Sequence, residues 1–79
     1  MPRFFFDLTN GSGTARDEEG AELAGLPEAR AYAIHCARDI AGTDIREGRG
    51  ASLGSFVTIR DAQSEIERVT FAQALGITA

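Results

Sequence analysis

The sequence contains a single cysteine, Cys36, so no disulfide can form within one chain. One Cys and one His also fall short of the four ligands that a structural zinc site takes. A lone thiol is typical of a reducing compartment, which predicts a cytoplasmic protein. A chain of 79 residues buries only roughly 60–65% of the surface that its unfolded form exposes, so we expect it to rely on close packing or self-association.

Lysine is absent as well, and the eight basic residues are all arginines, against twelve acidic residues. The net charge of −4 argues against a non-specific nucleic-acid binder, because such proteins need clustered cations to neutralise phosphates. No apolar run approaches the length of about 20 residues that spans a bilayer, and the amino terminus lacks the apolar region and cleavage site of a signal peptide. We therefore expect neither a nucleic-acid nor a membrane partner, and predict a single domain over residues 1–79.

The start of the chain predicts a β-hairpin. Residues 3–8 include three consecutive phenylalanines, which favour a largely buried strand over a helix. The Asn- and Gly-containing residues 9–13 are typical of a turn. Residues 14–17 are then predicted to return as a second strand, followed by a type I turn at 17–20, after which residues 21–23 extend or end that strand.

The middle of the chain predicts a helix over residues 27–46. Pro27 suits the first turn, and Glu28 there complements the helix dipole. Apolar residues then recur at helical spacing, in a stripe of Leu26, Ala29, Ala33, Ala37 and Ile40 that Tyr32, Ile34, Ala41 and Ile45 widen. We expect the helix to fray after Gly42.

Residues 47–54 connect the helix to a second predicted hairpin, with strands at 55–60 and 65–71. The apolar residues of the last strand cannot all share one face by strict alternation, which predicts a β-bulge near Arg68. Residues 71–75 are predicted to begin a short terminal helical turn.

Together these elements predict an α+β fold, ββαββ, with a mainly antiparallel four-stranded sheet and one helix packed on one face. The first strand is apolar on both faces, so we place it in the interior of the sheet. The residues that face the helix are predicted to be Phe4, Phe6, Leu8, Val57, Ile59 and Phe71. Phe5 and Phe56 then lie on the uncovered face, where they predict an interface. A register error of one residue would instead place them in the core.

The sequence blocks Arg3-Phe4-Phe5-Phe6-Asp7, 16–23 and 57–61, with an Ala- and Arg-rich helix between the last two, resemble a known family. This is a domain-of-unknown-function family of short, largely alphaproteobacterial proteins, and the resemblance spans nearly the whole chain. Such proteins often carry a Gly after Asp61, where this chain has residues 62–64 as Ala-Gln-Ser. The resemblance implies a stand-alone bacterial protein and brings no activity, cofactor or site residue.

Asp7 and Asp17 are the first candidate site residues, because the first hairpin gathers them with neighbouring acids at one end. Clustered carboxylates bind hard cations such as Mg²⁺ or Ca²⁺, but the spacing is not that of an EF-hand loop. The alternative is a solvated turn in which Asp17 closes a local hydrogen bond.

Two further pairs lie on the predicted helix. His35 and Asp39 are one turn apart, which suits either an oriented imidazole or an ordinary surface ion pair. Arg30 and Arg38 fall on a similar helix face, where they suit either an acidic partner or a solvated surface. Cys36 points about 100° away from His35 around the helix, so no Cys–His dyad is implied.

The leading interpretation is a small non-catalytic binding or regulatory module that docks on a protein partner or forms a homodimer. No catalytic residue, cofactor or metal ion is predicted. One alternative is an antitoxin-like module that pairs with a toxin partner, which rests on analogy of fold alone. A second is a small ligand- or metal-binding enzyme-like domain with a pocket lined by Asp7, Asp17 or His35.

Overall fold

The computed structural model describes residues 1–50 and 52–77. In chain order they form β1 (Arg3–Asn10), β2 (Gly13–Ala15), β3 (Ala21–Glu22), α1 (Leu26–Arg46), β4 (Phe56–Arg60), β5 (Glu65–Thr70) and α2 (Phe71–Ala74). The strands build one antiparallel sheet in the order β2-β1-β4-β5, and β3 pairs with β1. The predicted α+β fold is confirmed. In the described ranges, no helix is long and apolar enough to cross a membrane.

The first strand lies in the interior of the sheet, as predicted, and its two ends pair with different strands. Leu8 pairs with Ala15 of β2, whereas Phe4 pairs with Ala21 of β3. The predicted second strand ends earlier than expected, at Ala15, and residues 16–20 leave the sheet before β3 pairs with β1 again. The consequence is that no strand pairs with the middle of β1 on this edge within the described residues.

Helix α1 packs on one face of the sheet through small side chains. Its fully buried positions recur every four residues, at Ala29, Ala33, Ala37 and Ala41. Their size lets the helix backbone lie close to the sheet, so that Phe4, Val57, Ile59, Val69 and Phe71 complete the core. The predicted end of the helix at residue 46 is confirmed, and α1 continues through Gly42 without interruption.

The second hairpin contains the predicted β-bulge, at a different residue. Ile59 pairs with Glu67 while Arg60 pairs with Glu65, so Ile66 is the additional residue, two positions before Arg68. The bulge restores alternation for the rest of β5 and turns Val69 into the core.

The predicted terminal helical turn is confirmed as α2. Thr70 and Gln73 form a reciprocal capping box at its first residue, and Phe71 and Ala74 are buried against α1. Both helices therefore cover the same face of the sheet. Within the connection at 47–54, Ala51 lies outside the described residues.

Candidate functional site

The sheet face turned away from the helices carries the strongest candidate site. Alternation along β1 and β4 places these residues on it: Phe5, Asp7, Thr9, Phe56, Thr58 and Arg60. The two predicted interface residues, Phe5 and Phe56, lie on this face and are each partly buried.

A concavity of about 400 Å³ lies on this face, and we call it the open-face trough. Its charged residues are Asp7, Arg16, Arg60, Glu65 and Arg68, and its uncharged residues are Thr9, Thr14, Phe56 and Thr58. Three of the eight arginines but only two of the twelve acidic residues line it. The trough is therefore net positive on a chain whose remaining charge is strongly negative.

The centre of the trough is fixed by an ion pair between Asp7 and Arg60. Arg60 Nε donates to Asp7 Oδ2 at 2.7 Å, and the two side chains are only 14% and 10% exposed. Arg60 Nη2 also donates to the backbone carbonyl of Asp17 at 2.7 Å. The second oxygen of Asp7 accepts the backbone N–H of Asp17 at 2.8 Å. Asp7 and Arg60 thus bind the loop at 16–20 to the sheet.

The carboxylate of Asp17 accepts a hydrogen bond from β1 at a position that pairs with neither β2 nor β3. Its Oδ2 accepts the backbone N–H of Phe6 at 3.1 Å, on the edge that neither β2 nor β3 reaches. Its Oδ1 accepts the N–H groups of Glu19 and Gly20, each at 3.1 Å. The predicted local hydrogen bond of Asp17 is present, and it is accompanied by the contact with β1 that the sequence did not indicate.

These contacts keep both aspartates ionised. Burial by itself would raise the pKa of Asp7, but the hydrogen bonds from Arg60 and from the Asp17 N–H outweigh it and lower the pKa below the ordinary value. Burial opposes ionisation of Asp17 too, and its pKa is lowered by the backbone N–H groups of Gly20, Phe6 and Glu19.

Each aromatic ring on the open face is covered by an arginine. The guanidinium of Arg60 lies 4.5 Å from the ring centre of Phe5, and that of Arg68 lies 4.7 Å from the ring centre of Phe56. Gly20 also lies against Phe5, because a Cβ added there would come within 2.9 Å of the ring. Phe5 is therefore enclosed by the loop, whereas Phe56 lines the trough itself.

Residues 3–72 match the family model described as Domain of unknown function (DUF6894). The chain belongs to this family. The match contains both hairpins and all of α1 and ends within α2, so the open-face trough lies inside the shared domain. No curated protein and no solved structure is significantly similar to the chain.

In this DUF6894 domain the other predicted site residues lie away from the trough. His35 Nε2 lies 3.4 Å from Asp39 Oδ2, and both side chains are more than 70% exposed, at 76% and 72%. They form a surface pair on the outer side of α1. Burial raises the pKa of the neighbouring Cys36 thiol, which makes it a poor nucleophile.

Arg30 and Arg38 bind other parts of the same chain. Arg30 Nε donates to Glu67 Oε2 of β5 at 2.8 Å, and Arg38 Nε donates to the carbonyl of Ala74 in α2 at 2.6 Å. The two arginines therefore attach the helix to the sheet edge and to the second helix.

Metal binding finds no support in the arrangement of Asp7 and Asp17. Within the described parts of the chain, no group of three or more His, Cys, Asp or Glu side chains is close enough to hold a metal ion. Each carboxylate oxygen of these two residues already accepts a hydrogen bond within the chain.

A second concavity, of about 380 Å³, lies where the first hairpin meets the end of α1. Its charged lining residues, Asp44 and Arg49, pair with each other at 2.8 Å. It therefore offers less unpaired charge than the open-face trough.

The sequence reasoning missed three arginines of the trough, Arg16, Arg60 and Arg68, as site residues. A signal for Arg60 was present, because it alternates with Phe56 and Thr58 along a predicted strand. Its partner Asp7 lies 53 residues away, so only the strand register reveals the pair.

Proposed function

We propose that this domain is a non-catalytic binding module that docks a protein partner on the open-face trough. The observation that carries the proposal is the partly buried Phe56 ring with the Arg68 guanidinium above it, on a sheet face that the helices leave open. Aromatic residues and arginine are enriched in protein–protein interfaces and at their energetic centres.

The chemistry of the trough supports binding rather than catalysis. Its most buried charged groups, Asp7 and Arg60, pair with each other and with the backbone of Asp17. A general base needs a carboxylate that can reach a substrate proton, whereas these oxygens are engaged within the chain. The ion pair therefore serves to hold the surface in shape.

The charge of the trough favours a different protein over a second copy of the chain. Two copies set face to face would bring together the arginine-rich sides of both, and like charges that meet across an interface disfavour it. We therefore propose a heterologous partner in place of the homodimer.

A photo-crosslinking experiment in cells tests the proposal. A photoreactive phenylalanine replaces Thr14, which is exposed on the rim of the trough, and in a matched variant it replaces His35 on the outer side of α1. We expect a defined adduct from position 14, identified by mass spectrometry, that is absent from position 35. The substitution Phe56→Ser should abolish the adduct, because it removes the aromatic centre of the surface.

The other outcomes overturn the proposal. Identical adducts from both positions, or none from position 14, show that the open face is not a specific docking surface. An adduct with twice the mass of the chain, together with a dimer in light scattering, replaces the heterologous partner by self-association.

We also propose that the module acts in the bacterial cytoplasm. Its one cysteine, Cys36, is partly buried and free, which suits a reducing compartment. Fractionation of cells that express the tagged chain should place it with cytoplasmic markers, and recovery with periplasmic or membrane markers contradicts this location.

A further inference from the structure

We infer that the partner presents an acidic segment, whose carboxylates bind to Arg16 and Arg68 across the open-face trough. The inference rests on the proposed function and adds the chemical class of the bound segment. It is carried by the difference between these two arginines and Arg60, which shares the trough with them.

Arg60 is committed to the fold, whereas Arg16 is available. The Arg60 side chain is only 14% exposed and bonds both Asp7 and the backbone of Asp17. Arg16 is exposed at the rim, and among the residues that the structure describes no carboxylate lies within ion-pair distance of it. An exposed guanidinium without an ion-pair partner among the described residues is free to donate to a carboxylate of another protein.

Arg68 is held in place but only weakly paired. Its guanidinium is positioned over the Phe56 ring, and its contacts with Glu65 are 3.1 and 3.4 Å long in a pair with both side chains about half exposed, at 56% and 50%. Exposed ion pairs of this kind contribute little, so exchange of Glu65 for a carboxylate of the partner costs little. The ring reduces the freedom that Arg68 loses on binding.

Two hydroxyl groups that share the trough with these arginines suit the same ligand. Thr9 and Thr14 lie in the trough with their side-chain oxygens 2.9 Å apart. A hydroxyl can donate to a carboxylate as readily as it accepts from its neighbour. The pair therefore keeps one O–H that can donate to a carboxylate in the trough.

A short acidic segment fits the charge distribution better than a nucleic acid does. The chain outside the trough carries twice as many acidic residues as arginines, with ten of the former and five of the latter. A long polyanion that enters the trough also extends beyond it and passes within about one Debye length, roughly 8–10 Å, of these acidic residues. Their negative charge repels it. A segment of a few carboxylates confined to the trough avoids that repulsion.

An NMR titration of the isotope-labelled full chain tests the inference, with unlabelled oligoglutamate as the probe and oligolysine of equal length and oligothymidylate as comparisons. We expect oligoglutamate to shift the backbone amide signals of Arg16, Thr58 and Arg68 and to leave those around His35 unchanged. Oligolysine should produce no such localised shift.

Charge-reversal variants test whether oligoglutamate binding depends on arginines in the trough or only on the total charge of the chain. The double substitution Arg16→Glu with Arg68→Glu should weaken oligoglutamate binding about tenfold, because two exposed contacts are reversed. Arg46→Glu, on the exposed end of α1, reverses one charge outside the trough and should change the affinity less than about twofold, whereas the matched single reversal Arg16→Glu should weaken binding about threefold. If the double reversal unfolds the protein, Arg16→Gln with Arg68→Gln repeats the test without adding negative charge.

The inference is overturned by shifts that map outside the trough, by equal losses from Arg46→Glu and from Arg16→Glu alone, or by no binding of oligoglutamate. Tighter binding of oligothymidylate at the same amides makes a nucleic acid the ligand. A specific crosslink from position 14 without oligoglutamate binding removes the acidic segment and leaves the proposed function standing. Oligoglutamate binding without any crosslink in cells removes the proposed function instead.

Discussion

The two faces of the sheet are built from alternate residues of the same strands, yet different forces stabilise them. On the face under α1, small alanines pack directly on large apolar side chains such as Ile59, which is fully buried. On the open face, guanidinium groups lie over aromatic rings, and Asp7 and Asp17 hold the loop at 16–20 in place. Apolar burial dominates the first face, and hydrogen bonds with charged groups dominate the second.

This difference assigns stability to the packed face and partner binding to the open face. A closely packed face cannot accept a ligand without loss of the core, because interiors tolerate few voids and little strain. An open face of charged and aromatic residues keeps its shape through a few fixed contacts and leaves other groups to bind a partner. In this domain Arg60 supplies the fixed contact, while Arg16 and Arg68 remain at the surface.

The largest expected effect lies on the packed face. Ile59→Ala should lower the free energy of unfolding by about 4 kcal/mol, because it removes apolar contacts and leaves a cavity beneath α1. Ile66→Ala is the matched control, since Ile66 lies in the bulge and is 38% exposed, and it should cost less than about 1 kcal/mol. Urea denaturation measures both, and equal losses would show that the two faces contribute alike.

The next effect is expected on the open face. Asp7→Ala should lower the free energy of unfolding by about 3 kcal/mol, because it leaves Arg60 largely buried and without its carboxylate. Glu65→Ala removes a carboxylate from the same trough, but its pair with Arg68 is exposed and its loss should be much smaller. A larger loss from Glu65→Ala in urea denaturation would contradict the fixed role of Asp7.

The loop over Phe5 gives a third comparison. Gly20 has a φ of 72°, and a Cβ there would lie 2.7 Å from the Phe4 carbonyl and 2.9 Å from the Phe5 ring. Gly20→Ala should therefore lower the free energy of unfolding by about 2 kcal/mol. Gly48→Ala is the matched control. Gly48 has a similar φ of 76°, and a Cβ added there would have no described atom within 4 Å. This substitution should cost about 1 kcal/mol, so the difference in thermal or urea unfolding measures the contacts of position 20 with the Phe4 carbonyl and the Phe5 ring.

The smallest effect is a dependence on pH that belongs to the open face. Because the pKa values of Asp7 and Asp17 are lowered in the folded chain from the ordinary 3.8, the folded state binds fewer protons than the unfolded state in acid. Their contribution is complete above the ordinary value and is lost as the pH falls through the folded pKa, by up to about 1.4 kcal/mol per pH unit for each group.

Urea denaturation at a series of pH values checks this dependence. Asp7→Asn and Asp17→Asn should each reduce the slope of the free energy of unfolding against pH on the acidic side. If neither substitution changes that slope, these carboxylates do not carry the acid sensitivity, and the open face is less dependent on charge than the structure indicates.

Local patterns predicted most of the fold and part of the site. Helix α1 and the two hairpins follow from spacing and turn residues, and the alternation of Phe5 and Phe56 placed both on the open face. The bulge was predicted near Arg68 and lies at Ile66, because alternation shows that a residue is added but the pairing of β4 with β5 decides which one. The bounds of α1 were predicted to within one residue, because Pro27 and the apolar spacing are local signals.

The sequence by itself determined which residues alternate between the faces and where the helix and strands begin, because periods of two and 3.6 residues are local properties of the backbone. Only the tertiary structure decided that Asp17 pairs with the middle of β1, that Arg60 reaches Asp7, and that Arg16 and Arg68 share one trough. These contacts join residues as many as 53 positions apart, and they depend on a strand register that local patterns do not encode.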